Sequence, residues 1–106
     1  MRSDIAIVVN PDLTRPQTFE VIVRDSRGES RHRVTIAAED AARFAASGLT
    51  SARCVEAAMA FLLDRESKES ILRAFDISVI RRYFPEFDDA FPGYLARFKS
   101  DPGKDR

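Results

Sequence analysis

From Ser51 to Phe84 the chain reads SARCVEAAMAFLLDRESKESILRAFDISVIRRYF, its longest run with a helical apolar period. Val55, Ala58, Met59 and Leu62 fall at i, i+3, i+4 and i+7, so they share one helical face. Cys54 and Phe61 widen that face beyond a coiled-coil seam. The alanines at 52, 57, 58 and 60 add helix propensity. Gly48 can end a preceding helix in the left-handed conformation, and Thr50 or Ser51 can cap the new one. The run Asp64 to Ser70 is wholly polar; either the helix continues through it or Ser67 caps a second one. Ile71, Leu72 and Phe75 then restore the apolar period. Asp76 can cap a short helix carrying Ile77, Ile80 and Phe84, although Ile77, Val79 and Tyr83 also alternate as a strand would. Pro85 stops this segment.

Upstream, the pattern switches to period two. Phe19, Val21 and Val23 alternate with Glu20, Ile22 and Arg24, and His32, Val34 and Ile36 alternate with Arg31, Arg33 and Thr35. Asp25 to Glu29 joins them as a hairpin connection, with Gly28 available for a positive φ. Ile5 to Val9 is a β-branched patch that suits a short added strand. Ala38 to Ser47 reads as a short helix packing through Ala41, Phe44 and Ala45. After Pro85, Phe87 reads as an anchor in an acidic loop, and Pro92 as the first residue of a last helix ending at Lys99.

A hairpin, even with a third strand, cannot bury its apolar face unaided. The expected fold is therefore α+β: a small antiparallel sheet covered by a bundle of short helices. Residues 1–106 make one domain, with 1–16 and 100–106 expected to be partly flexible.

Seventeen basic and seventeen acidic residues cancel, which removes any global pull toward nucleic acid or anionic membrane. No apolar run approaches the roughly 20 residues that span a bilayer, so no membrane association is expected. A lone Cys54 cannot form an internal disulfide and fits a reducing compartment, here the cytoplasm. One His and one Cys are too few for zinc, haem or iron–sulfur ligation, and the four glycines lie far apart, so no metal or cofactor is expected. An acidic cluster at Glu86, Asp88 and Asp89 reads more simply as a solvated loop. A His32–Cys54 catalytic pair would need a third group to orient the base, and both residues fall on core-facing positions. No enzyme activity is expected.

Two surfaces stand out. Lys68, Arg73, Arg81, Arg82 and Tyr83 combine cations with an aromatic ring, as a nucleic-acid or partner surface would, but Glu66, Glu69, Asp76 and Glu86 are interleaved with them. Phe84, Phe87, Phe91, Tyr94 and Phe98 crowd aromatics into the last third of the chain, where they serve either an association surface or the core of a monomer. Edge strands of a short sheet also invite a second copy, so a homodimer is expected. The expected function is a protein-interaction or regulatory module; the competing reading is a nucleic-acid-binding regulator.

The block CVEAAMAFLLDRESKESILRAFDISVIRRYFPEF, Cys54 to Phe87, resembles the characteristic segment of a small family of uncharacterised bacterial proteins, and the hairpin FEVIVRDSRGESRHRVTI fits the same family. The resemblance covers roughly Phe19 to Phe87 and implies a bacterial source. That family has no assigned activity, so no residue role is carried over. A looser likeness, of architecture alone, is to antitoxin and regulator modules that pair a small antiparallel sheet with helices.

Overall fold

A computed structural model describes residues 5–99. In chain order it contains β1 (Ala6–Pro11), β2 (Thr18–Asp25), β3 (Gly28–Thr35), α1 (Ala38–Ala46), α2 (Ser51–Leu63), a 3-10 turn (Lys68–Ser70), β4 (Ala74–Asp76), α3 (Ile77–Tyr83) and α4 (Phe87–Lys99). The fold is α+β. The sheet has four strands in the order β1-β2-β3-β4, one more than the largest sheet expected, and it is mixed, because β4 runs parallel to β3.

The meander β1-β2-β3 follows from the period-two pattern. Phe19, Val21, Val23, His32 and Val34 turn to one face and are buried. Glu20, Ile22, Arg24, Arg31 and Arg33 turn to the other. The hairpin closes with Asp25 paired to Gly28, whose φ of 131° suits only glycine, while Asp25 Oδ1 accepts from the Arg27 amide at 2.8 Å. At the loop after β1, Asp12 Oδ1 accepts from the Thr14 amide at 2.9 Å and its hydroxyl at 2.7 Å. Of the amino-terminal segment expected to be partly flexible, residues 6–11 are strand; residues 1–4 and 100–106 lie outside the described range.

α2 is the roof. Gly48 ends α1 at φ 84°, and Thr50 Oγ1 accepts from the Arg53 amide at 3.1 Å to start α2. Val55, Met59 and Leu62 are buried, as their spacing predicts, together with Cys54, Ala57, Ala58 and Phe61. α2 lies over β1 on one side and against α4 on the other. At that second contact Phe61 is the hub: its ring lies 4.9 Å from Phe87, 5.6 Å from Tyr94 and 5.9 Å from Phe84, all edge-on. Phe87 stacks on Phe91 at 4.6 Å, and Phe91 reaches Phe44 of α1 at 5.6 Å.

Two segments that the sequence leaves open each take one of the expected forms, and one element differs from the sequence reading. The helix does not run on through the polar stretch; one 3-10 turn follows Ser67. Residues 77–83, which fitted helix or strand, are helix, because Asp76 Oδ2 accepts from the Ser78 amide at 3.0 Å and caps it. α4 begins at Phe87 rather than at Pro92, which places the proline inside the helix. Burying Phe87 and Phe91, one turn apart on the same face, outweighs the hydrogen bond that Pro92 forfeits. No helix of the described residues is long and apolar enough to cross a membrane.

Candidate functional site

An apolar groove of about 390 Å³ lies beside β4. Leu62 of α2, Ile71 after the 3-10 turn and Ile80 of α3 form its buried floor. Phe75 of β4, Val79 and Phe84 are half-buried along its walls. Leu72 and Tyr83 stand at the rim, 49% and 66% exposed. The one charged lining residue is Glu66, half-buried, with no side-chain ion pair or hydrogen bond among the described residues.

Two polar ties shape the groove. Thr35 Oγ1 donates to Asp76 Oδ1 at 2.6 Å, while Asp76 Oδ2 also accepts from the Ser78 hydroxyl at 2.7 Å. One carboxylate thereby joins β3, β4 and the start of α3. Burial pushes the Asp76 carboxyl up, but the bonds from Thr35 and Ser78, with Arg81 nearby, outweigh that and hold it below its ordinary value. The second tie is His32, 2% exposed. Its Nδ1 lies 2.8 Å from the Leu72 carbonyl oxygen and its Nε2 lies 2.8 Å from Ser30 Oγ. A carbonyl only accepts, so Nδ1 carries a proton and donates to Leu72, while Nε2 is hydrogen-bonded to the Ser30 hydroxyl. Both ring nitrogens are satisfied, and the ring anchors the backbone at Leu72, whose side chain stands at the groove rim.

The sequence-predicted surface residues separate. Lys68 is not a surface cation: it is 3% exposed, with Nζ 3.0 Å from Asp25 Oδ1 and a second bond to Glu69. The polar run hid this because Asp25, its partner, lies on the distant hairpin. Arg81 is held by Asp88 through Nε and Nη2, both at 3.0 Å, and lies 3.6 Å from the buried Asp40. Arg73 is exposed and shares with Lys68 a polar recess that also holds Arg31 and His32, whereas Tyr83 faces the apolar groove. Arg82 is exposed. The five do not line one recess.

The aromatic set also divides. Phe87 and Phe91 belong to the core, not to an association surface, since Phe61 and Phe44 cover them. Tyr94 is half-buried and donates to Asp64, while Phe84 is shared between core and groove. The side chain of Phe98 lies outside the described residues. His32 and Cys54 do not form a hydrogen-bonded pair. Burial pushes the Cys54 thiol up to about 11, and a hydrogen bond with Ser47 offsets only part of that. Glu86 and Asp88 serve as partners of Arg65 and Arg81, and among the described residues no group of three or more His, Cys, Asp or Glu is placed to hold a metal ion. The rim residue Leu72 escaped the sequence reading as a surface feature, because its spacing with Ile71 and Phe75 fitted a buried helical face.

No protein-family pattern, curated protein or solved structure matches this chain.

Proposed function

We propose that this protein is an interaction module that receives an amphipathic helical segment of a partner protein in the groove beside β4. The observation that carries the reading is the exposure of Leu72 and Tyr83 around an apolar floor. A small molecule confined to the recess would leave those rim residues wet, whereas a helix laid along the groove covers floor and rim together. Glu66, half-buried and without an ion pair among the described residues, adds a charge requirement. The partner helix carries apolar residues at i, i+3 or i+4, and i+7, and a Lys or Arg that meets Glu66. Nucleic-acid binding has less support, because Lys68 and Arg81 already have carboxylate partners.

The test is a selection from displayed helical peptides against the immobilised protein. The expected peptides share that apolar spacing and a basic residue. Leu72→Asp and Tyr83→Asp, both exposed and so compatible with folding, each weaken binding roughly tenfold or more. Glu66→Lys shifts the preference toward acidic peptides. Selected peptides that bind the wild type and the two Asp variants equally would overturn the proposal, as would a selection that yields no peptide binder.

A further inference from the structure

The two edges of the sheet are unlike. β4 is three residues long, ends in a charged Asp76 and runs directly into α3. β1 is six residues long, AIVVNP, and carries no charge; its one proline is the last residue. Its inner side pairs with β2, and among the described residues no strand pairs with its outer side. Val8, in the middle of the strand, is 39% exposed. Sheet edges of monomers are ordinarily guarded by charge, proline or a bulge, and this one has none along its middle.

From this edge we infer that β1 pairs antiparallel with β1 of a second copy, about a two-fold axis at Val8, joining two four-stranded sheets into one. The registers identify the occupant. On the outer face of the sheet, Val8 lies beside Ile22 and then Arg31; Ala6 lies beside Arg24 and then Glu29; Asn10 lies beside Glu20 and then Arg33. A two-fold axis at Val8 sets Val8 against Val8, so Ile22 and Val8 of both copies form one apolar row. The same operation sets Ala6 against Asn10, two small uncharged residues, and Arg24 in the next strand keeps its own partner Glu29 at 2.9 Å, so no like charges meet at the seam. On the inner face Ile7 meets Val9, both half-buried against the core, which extends the floor beneath α2.

Other registers lose this match. Centring on Val9 puts Val8 against Asn10, and centring on Ile7 puts Val8 against Ala6, leaving Arg24 in line with Ile22. The chain's own β1 at Val8 therefore satisfies apolar pairing and facing at once, and a two-fold pairing of one strand with itself is closed and does not propagate. This surface lies at the opposite edge of the sheet from the groove, so each can fail without the other.

The experiment is sedimentation equilibrium of the full chain. The expected mass is twice the 12.0 kDa of one chain. Val8→Lys places two like charges directly opposite across the seam, and the expected result is a folded monomer with an unchanged circular dichroism spectrum. A wild-type monomer, or a folded Val8→Lys dimer, would overturn the inference. Should Val8→Lys not fold, Val8→Cys decides. Residues facing each other in antiparallel strands have Cα atoms about 4.5–5.5 Å apart, within disulfide reach. Mild oxidation is expected to link Val8→Cys chains well ahead of a Leu13→Cys control, whose site is 93% exposed in the β1–β2 loop. Equal rates for the two would overturn it. Cys54 is fully buried and adds no background.

Discussion

A single carboxylate shows how much of this fold rests on individual side chains. Asp76 pairs with Thr35 in the β3–β4 register, binds the Thr35 hydroxyl and caps α3. Asp76→Ala removes the cap and the strand tie together, and the expected loss is about 1–2 kcal/mol at neutral pH. The effect depends on pH with a definite sign. The folded-state value lies below the ordinary 3.8, so the unfolded chain takes up the proton first as the solution is acidified. The stabilisation is complete above 3.8 and drains away as pH falls through 3.8 to the lower folded value. Urea unfolding of the wild type and Asp76→Ala is expected to differ most at neutral pH and to converge in acid. A gap that stays constant would assign the effect to packing rather than to the ionised carboxylate.

At the scale of elements, what was legible in the sequence was whatever its local period specified. Val21 and Val23 against Ile22, and Val55, Ala58, Met59 and Leu62, each repeat long enough to select strand or helix. β4 does not, because Ala74, Phe75 and Asp76 span too few residues to show alternation, and Phe75 also fits the helical spacing set by Ile71 and Leu72. β4 is made a strand by its long-range pairing with β3, where the Arg33 amide donates to the Arg73 carbonyl at 2.7 Å. The groove was illegible for the same reason: its wall is β4 and its rim is drawn from two further segments. Pro92 is a case in which a local rule lost. Its ring is exposed, and it lacks the N–H that would reach the Asp88 carbonyl in α4. Pro92→Ala restores that bond, and thermal unfolding is expected to show a gain of up to about 3 kcal/mol. A lower melting temperature would mean that Pro92 sets the angle at which Phe91 and Tyr94 meet their neighbours.

Across the whole molecule, α4 completes the core rather than decorating it. Two kinds of contact hold it down. Arg65 bridges to Glu86 at 2.9 Å just ahead of the helix, and Arg81 grips Asp88 in its first turn; both carboxylates are exposed, where solvent screening leaves ion pairs little net weight. The buried rings of Phe87 and Phe91 and the half-buried ring of Tyr94 meet Phe61 and Phe44, and burial of large aromatics dominates core energetics. A chain ending at Glu86 would expose Phe61, the hub between α2 and α4, in a domain whose core has little to spare. The expected outcome is a compact chain that keeps far-ultraviolet circular dichroism, binds a hydrophobic dye and unfolds without a sharp transition. Glu86→Gln, which breaks an exposed ion pair and leaves the rings in place, is expected to melt cooperatively near the wild-type temperature. Cooperative melting of the truncated chain at the wild-type temperature would make α4 an appendage, and the sheet with α1 to α3 would then have to be self-sufficient despite the bare face of Phe61.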